Sequence, residues 1–170
     1  MEARDLTNAH RPLTPEAVWD ALGEIMDPEI PVVSVVEMGI VRDVDVRADG
    51  VTVSMTPTFA GCPALDVMRD EIVRRVRHLG AATVEVKTVL SPPWTSDWIT
   101  DGARAKLAAF GLAPPVRHGG NVAMTFPEAG RCPRCEGTNV TLKNAFGSTL
   151  CRMIFYCEDC RDAFEQFKPI

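Results

Sequence analysis

Cysteine thiols carry most of the chemistry that the sequence offers, and five of the six lie within residues 132–170. Four of these form two Cys-x-x-Cys pairs, Cys132 with Cys135 and Cys157 with Cys160, separated by 21 residues. Each such turn directs two thiolates to one point, and two turns supply the tetrahedral set of four thiolates that zinc favours. The same ligands could hold iron or an iron–sulfur cluster. We predict a closed zinc site that contributes folding energy rather than catalysis.

Cys151 does not fit this scheme of four ligands. It precedes Cys157 by six residues, in a segment whose pattern predicts a strand. A continuous strand would place the two thiols ~20 Å apart. Two interpretations stay open for Cys151: a second thiol at a labile metal or cluster site, or a small buried apolar residue.

Cys62 stands alone in the first 131 residues, at the predicted start of a helix. Unpaired N–H groups and the helix dipole stabilise a thiolate at such a position, which can lower the pKa of the cysteine. The position suits a nucleophile, a redox thiol, a soft-metal ligand or a merely buried cysteine. Two carboxylates, Asp27 and Glu37, flank an apolar segment and could be ligands or acid–base groups. Turn contacts for Asp27 and a capping role for Glu37 are the more ordinary interpretations.

Several classes of function are disfavoured by composition and motifs. The sequence has no HExxH, GxSxG or phosphate-binding glycine loop, so we expect a protein that is not an enzyme. The net charge of −5 disfavours a broad nucleic-acid-binding surface. No apolar run approaches the ~20 residues of a membrane span, and the first residues lack the apolar core of a secretion signal. We therefore expect a cytoplasmic protein with reduced thiols that binds neither nucleic acid nor membranes.

The apolar periodicity predicts an α+β domain, a small mixed sheet with packed helices in the order α-β-β-α-β-α. Thr14 is the expected N-cap of the first helix, and the prolines after Asp27 end it. The predicted elements are helices over 14–26, 63–78 and from the 91–98 loop to 110, and strands over 40–46, 51–55 and 83–90. The buried helix faces are expected to include Leu79 and Phe110.

The domain boundaries follow from composition and from the cysteine spacing. We predict a flexible N-terminus over 1–13, a first domain over 14–112, a linker rich in Gly and Pro over 113–129 and a small β domain over 130–170. In the last of these, strands over 138–143 and 150–156 lie between the two Cys-x-x-Cys turns, which describes a zinc ribbon. A domain this short buries too little core to fold without a metal.

Three segments of the first domain resemble the small domain shared by iron–sulfur maturation and targeting factors, including the bacterial SufT-type proteins. They are Asp27-Pro-Glu-Ile-Pro-Val, Met38-Gly-Ile-Val and Thr58-Phe-Ala-Gly-Cys-Pro. The loop Pro92-Pro-Trp-Thr-Ser-Asp-Trp-Ile and the ribbon segment Phe146-Gly-Ser-Thr-Leu-Cys-Arg narrow the resemblance to the PaaD family. That family is encoded with the bacterial phenylacetyl-CoA ring epoxidase. The resemblance covers about residues 14 to 168.

The resemblance implies an accessory protein, rather than the oxygenase itself, of the ring 1,2-epoxidase in aerobic phenylacetate degradation. Such a protein would assist the assembly or delivery of the enzyme's iron–sulfur or iron centre. The resemblance places the family's functional cysteine at Cys62 and the leading aspartate of the motif at Asp27, and it puts Cys151 inside the characteristic ribbon segment. A transiently bound iron–sulfur cluster at these residues, beside the structural zinc, is therefore expected.

The expected partners are epoxidase components, either the reductase or the oxygenase subunits. A homodimer is a further option, because one Cys62 per chain could pair with its copy across a twofold axis. Two other functions stay open: a structural or docking subunit that uses the zinc ribbon, and a thiol-redox enzyme that uses Cys62.

Overall fold

A computed structural model describes residues 13–59, 61–119 and 130–170. The elements in this part of the chain are α1 (Pro15–Gly23), β1 (Val41–Arg47), β2 (Gly50–Met55), α2 (Ala64–His78), β3 (Val84–Thr88), α3 (Asp101–Phe110), β4 (Leu112–Ala113), β5 (Val140–Asn144), β6 (Arg152–Cys157) and β7 (Asp162–Phe167). This order confirms the predicted α+β fold with its small β domain. The predicted flexible N-terminus and most of the predicted linker fall on residues 1–12 and 120–129, outside the described residues.

The first sheet contains three strands in the order β1-β2-β3. β1 and β2 form the predicted antiparallel hairpin, and β3 pairs in parallel with β2, so the sheet is mixed. The parallel pairing requires a crossover connection, which α2 provides. Gly50 begins β2 where an added Cβ would collide with the Thr83 side chain, so a larger residue would push β2 away from β3.

α1 begins as the sequence indicates but ends earlier than predicted. The hydroxyl of Thr14 accepts a hydrogen bond from the Ala17 N–H at 3.2 Å. The helix stops at Gly23 rather than at Met26, because Met26 instead forms an antiparallel bridge with Ser34.

Two residues that were expected in the core are exposed instead. Leu79 is 40% exposed and Phe110 is 48% exposed, so these two predictions are wrong. Both lie at the C-terminal end of a helix, where the chain turns away from the core: Leu79 caps α2, and Phe110 precedes Gly111, whose φ is +91°. The central residues of the predicted faces are buried: Met68, Ile72 and Val76 on α2, Ala103 and Leu107 on α3.

The C-terminal sheet has the strand order β4-β7-β6-β5. The two strands predicted here are present as β5 and β6, but β4 and β7 were missed. β4 is only two residues long, and it pairs in parallel with β7. β7 contains the fully buried polar residue Gln166, whose side-chain oxygen accepts from the Gly130 N–H at 2.6 Å. A buried polar residue hides the apolar alternation on which a strand prediction depends.

The C-terminal sheet has a small apolar cluster of its own and contributes two residues to the main core. Cys151 and Phe167 of the C-terminal region belong to the same buried cluster as the residues of α1, α2, β1 and β2. The rings of Trp94 and Phe167 lie 5.7 Å apart between centroids, and the Trp94 indole N–H donates to the Met38 carbonyl at 2.9 Å. These contacts hold the end of β7, which pairs with Arg152 at the start of β6, against the first domain. In the part of the chain described, no helix combines the length and apolar character needed to cross a bilayer.

Candidate metal centres

The structure brings the four cysteines of the two Cys-x-x-Cys turns together at one end of the C-terminal sheet. Their sulfur atoms all lie within 4.8 Å of one another. The Sγ atoms of Cys132 and Cys160 are 3.7 Å apart, and those of Cys135 and Cys157 are 3.6 Å apart. Four thiolates around zinc, at Zn–S distances of ~2.3 Å, would lie ~3.8 Å from one another. Both the donor set and the spacing therefore fit a tetrahedral zinc ion.

The two turns share one backbone conformation, which directs their sulfurs inward. A residue of left-handed conformation follows each turn, Glu136 at φ 59° and Arg161 at φ 60°. Their N–H groups donate to the carbonyls of Cys132 and Cys157, both at 2.9 Å.

Backbone N–H groups also act on the sulfur of Cys132. Burial of this sulfur opposes ionisation, but hydrogen bonds from the backbone N–H groups of Cys135 and Arg134, together with those to the thiols of Cys160 and Cys135, outweigh it and lower the pKa of Cys132 to about 7. A thiol that ionises near neutral pH gives up its proton to a metal at little cost. Bound zinc would join the two turns and supply folding energy.

Cys62 lies directly before α2, half-buried against the main core. Burial raises the pKa of the Cys62 thiol, and a hydrogen bond from the backbone N–H of Ala64 lowers it. The negative charges of Glu29 and Asp27 raise this pKa further, and so does the charge of Cys151. The net shift of the Cys62 pKa is upward, so the lowering that a helix start can produce does not prevail here. The N–H of Ala64 acts in the expected direction, but burial and the nearby negative charges outweigh it.

Cys151 lies directly before β6 and is 7% exposed. Its sulfur is 3.0 Å from the hydroxyl oxygen of Thr149, and its carbonyl accepts from the Lys168 N–H at 2.8 Å. Burial raises the pKa of the Cys151 thiol, and the contact with Thr149 lowers it. β6 is a continuous strand with Cys157 at its far end, so Cys151 lies outside the cluster of four cysteines.

Asp27 is a buried carboxylate that caps its own turn. Its Oδ1 atom accepts from the N–H groups of Glu29 at 2.8 Å and Ile30 at 3.0 Å. Burial raises the pKa of Asp27, while these two hydrogen bonds and the positive charge of Arg152 lower it, with a net upward shift. The turn contacts that were the ordinary interpretation of Asp27 are therefore present. They leave its charge close enough to affect both Cys62 and Cys151.

Arg152, directly after Cys151, donates to the carbonyl of Glu29 in the turn of Asp27, and Cys62 and Cys151 pack in one apolar cluster. We call Asp27, Cys62 and Cys151 the junction site. The negative charges of Asp27 and Glu29 raise the pKa of both thiols. The junction site is not a preformed chelate. Among the described residues, only the four clustered cysteines place three or more ligand atoms within 4.8 Å of one another.

Glu37, the other carboxylate weighed from the sequence, has a structural role. Its Oε2 atom accepts from the Ser34 N–H at 3.0 Å, and its Oε1 atom pairs with the Lys106 ammonium at 2.6 Å. The second of these contacts ties the segment before β1 to α3. Glu37 therefore matches the capping interpretation rather than that of a ligand.

Sequence reasoning missed two residues of the junction, Glu29 and Arg152. The Nη2 atom of Arg152 donates to the Glu29 carbonyl at 2.8 Å, a contact between residues 123 positions apart. Both residues lie inside the segments that carried the family resemblance, Glu29 two residues after Asp27 and Arg152 directly after Cys151. Those segments were the available signal, but no spacing rule shows that they meet.

Two protein families match separate stretches of the chain. Residues 15–88 match the family described as "Iron-sulfur cluster assembly protein". Residues 121–168 match the family described as "PaaD zinc beta ribbon domain". Cys62 and Asp27 lie in the first match, and the four clustered cysteines lie in the second together with Cys151.

Curated relatives differ in how much of the chain they match. A protein of Escherichia coli (strain K12), named as a component of "Putative 1,2-phenylacetyl-CoA epoxidase", is 39% identical over 153 residues, which are 90% of this chain and 92% of that protein. The Fe–S protein maturation auxiliary factor YitW of Bacillus subtilis is 37% identical over 94 residues, 54% of this chain and 91% of that protein.

Solved structures match about half of the chain. A domain of unknown function from Bacillus anthracis has a TM-score of 0.51 and 25% identity, and covers 54% of this chain and 89% of its own. A conserved hypothetical protein from Thermotoga maritima has a TM-score of 0.50 and 30% identity, and covers 56% of this chain and 94% of its own.

Proposed function

We propose a function for this chain from one premise: it belongs to the PaaD family of iron–sulfur maturation-type proteins. Its role in this proposal is to assist the assembly or delivery of the iron–sulfur or iron centre of the phenylacetyl-CoA ring 1,2-epoxidase, in the cytoplasm, during aerobic phenylacetate degradation. The name of the Escherichia coli relative supports the link to the epoxidase, and that of the Bacillus subtilis relative supports the maturation role. The protein transforms no organic substrate in this account.

The observation that carries the proposal is that Arg152, directly after Cys151, contacts the turn of Asp27, and that Cys62 and Cys151 pack in one apolar cluster, outside the four clustered cysteines. A carrier must release its cargo, and a closed site of four thiolates is saturated and gives no access to a recipient's ligands. The junction site offers two thiols without a complete chelate. Iron or a cluster held there would keep coordination positions for the ligands of the recipient.

The zinc ribbon has a supporting role in this proposal. Its cluster holds Cys157 at one end of β6, and the other end of the same strand carries Arg152 directly after Cys151. Zinc would therefore fix the strand that brings the ribbon's thiol to the first domain. The carried iron and the structural zinc occupy different residues, so the iron can be lost while the zinc is retained.

A transfer assay tests the proposal directly. The chain, reconstituted anaerobically with iron and sulfide, is mixed in turn with the metal-free reductase and oxygenase components of the epoxidase, and recovery of their activity is followed. We expect Cys62→Ser to abolish transfer and Cys151→Ser to reduce it, with zinc content and circular dichroism unchanged in both. An unchanged transfer rate in Cys62→Ser would contradict the proposal.

A docking function is the second candidate, and exposed apolar side chains on the ribbon favour it. Phe146 is 64% exposed and Leu150 is 47% exposed, both in the loop before Cys151. If the ribbon only docks, the double variant of Cys62 and Cys151 supports full maturation of the epoxidase, whereas Phe146→Ser weakens binding to its components. If the chain is a carrier, the double variant of Cys62 and Cys151 should fail to support maturation of the epoxidase.

A homodimer is a separate proposal about how the ligand set is completed. Two copies of Cys62 across a twofold axis would add a second thiol to each bound metal. Sedimentation of the chain with and without iron tests this. We expect the iron-loaded chain to be a dimer that dissociates when the iron is chelated. A monomer in both states would contradict the proposal.

A further inference from the structure

The Arg152 side chain joins three parts of the molecule at the junction site. Its Nη2 atom donates to the Glu29 carbonyl at 2.8 Å, and its Nη1 atom donates to the Glu165 carboxylate at 3.0 Å. Glu29 lies in the turn of Asp27, and Glu165 lies on β7. The Arg152 guanidinium therefore connects the turn of the first domain to the ribbon sheet beside Cys151.

A second set of contacts fixes the ribbon loop that leads to Cys151. The carboxylate of Glu165 accepts from the Ser148 N–H at 2.6 Å and from its hydroxyl at 3.0 Å. The Gly147 N–H donates to the Arg152 carbonyl at 2.9 Å. The loop before Cys151 and the guanidinium of Arg152 are thus held by the same carboxylate.

Stability alone does not account for an arginine at this place. The Arg152 side chain is only 11% exposed, and its Nε atom is buried without a hydrogen-bond partner. A buried charge with an unsatisfied donor is costly, and a well-packed apolar side chain often stabilises a fold as much. The planar guanidinium does offer what an apolar residue cannot, two donors aimed in fixed directions at two acceptors.

We propose that Arg152 is the positioning residue of the junction site, which holds the turn of Asp27 against the segment of Cys151 so that a metal can contact both domains. The inference rests on the proposed function and goes beyond it, because it assigns the site's assembly to one side chain. Arg152 does not touch the metal in this account, and it acts through the Glu29 carbonyl and the Glu165 carboxylate.

Cobalt binding tests the positioning role spectroscopically. Zinc-loaded protein is titrated anaerobically with Co²⁺, and thiolate-to-cobalt absorption reports binding at the junction site. We expect Arg152→Met to weaken this binding by about tenfold or more, the usual cost of losing a residue that orients metal ligands. Arg152→Lys, which can reach one acceptor but not both, is expected to recover part of the loss. Equal affinities for Arg152→Met and the unmodified chain would overturn the proposal.

The matched control removes an arginine of the same charge elsewhere. Arg47 is largely exposed and pairs with Asp45 on β1, and it contacts no residue assigned to either metal centre. Arg47→Met is expected to bind zinc and cobalt like the unmodified chain. A loss of cobalt binding in Arg47→Met equal to that in Arg152→Met would overturn the proposal, because the effect would then come from net charge alone.

A second measurement separates the positioning role from the carrier function. Zinc-loaded protein is alkylated with iodoacetamide, and mass spectrometry measures the rate at which Cys151 reacts. This rate reports how well the first domain covers the Cys151 thiol. We expect a severalfold faster reaction in Arg152→Met with zinc retained, and an unchanged rate would overturn the inference. If the unmodified chain binds no cobalt at the junction, the proposed function fails, and the alkylation rates still decide the role of Arg152.

Discussion

The ribbon cluster and the junction site contain the same kind of ligand but are built in opposite ways. The ribbon gathers four thiols from two local turns, with sulfurs already 3.6 to 3.7 Å apart across the cluster. The junction site draws Asp27, Cys62 and Cys151 from distant parts of the chain. Among the described residues, no three ligand atoms of this site lie within 4.8 Å of one another, as those of the ribbon do. A cluster with complete ligands retains its metal, whereas an incomplete one can exchange it.

In the proposed function, this difference gives the two regions different tasks. The ribbon cluster stabilises a small sheet that lacks a large core of its own. The junction site depends on the packing of that sheet on the first domain, through Phe167 and Cys151. The two sites are therefore coupled in one direction: loss of the ribbon should destroy the junction, and loss of the junction should leave the ribbon intact.

The largest effect is expected from removing a ribbon ligand. In Cys157→Ser the zinc site loses one of its four thiolates, and the ribbon should unfold, since structural zinc contributes of the order of 10 kcal/mol to such domains. Metal analysis and circular dichroism should show loss of zinc, loss of strand signal and loss of junction iron. Cys151→Ser is the control, and it should retain zinc. Retained iron in Cys157→Ser would contradict the coupling.

Separating the two regions without touching a ligand should have the next largest effect. Phe167→Ala removes a fully buried ring that packs on Trp94, at a cost of about 3–5 kcal/mol. Thermal unfolding should reveal the lower stability, and metal analysis should show zinc retained with junction iron reduced. Phe146→Ala is the matched control, because that ring is mostly exposed and its removal should change stability little. Equal melting temperatures for the two variants would contradict the shared core.

Breaking the junction alone should leave the fold unchanged. Cys62→Ser removes a half-buried thiol, so we expect a change of about 1 kcal/mol or less in the free energy of unfolding and no change in zinc. Iron and acid-labile sulfide should disappear from the variant. Loss of zinc in Cys62→Ser would show that the two sites are not independent in this direction.

A pH titration should distinguish the two sites, because protons compete with the metal for the thiol ligands. The pKa values of Cys62 and Cys151 are raised, so both thiols are protonated at neutral pH and a metal must displace their protons. Junction affinity for Co²⁺ should therefore rise with pH, by up to about tenfold per unit for each thiol displaced, and metal should be released as the pH falls. The zinc, with four ligands, should be retained over the same mildly acidic range. Junction affinity independent of pH would argue against thiolate ligation.

The smallest effect is expected from changing Glu37. Comparison of Glu37→Gln with Asp27→Asn should distinguish a structural carboxylate from one that belongs to the junction site. Its pair with Lys106 is partly exposed, so Glu37→Gln should cost no more than about 1 kcal/mol. Junction affinity for Co²⁺ should stay unchanged, whereas Asp27→Asn should lower it. A similar loss in both variants would place Glu37 in the junction site.

The same contrast explains what the sequence could predict. The zinc cluster follows from spacing alone, because the two cysteines of each pair are close in sequence. The helices and most strands could be predicted because their apolar periodicities are strong. The short strand β4 and the polar-containing strand β7 gave no such signal, and neither did the contact between Arg152 and Glu29. The raised pKa of Cys62 was also unpredictable, since it depends on burial and on charges brought in by tertiary packing.

Metal analysis of anaerobically purified protein tests the central claim most directly. Zinc, iron and acid-labile sulfide per chain are measured for the unmodified protein and for Cys62→Ser. The account predicts one zinc per chain in both proteins, with sub-stoichiometric iron and sulfide that vanish in the variant. One zinc and no iron in the unmodified protein, even after attempted cluster reconstitution, would contradict it.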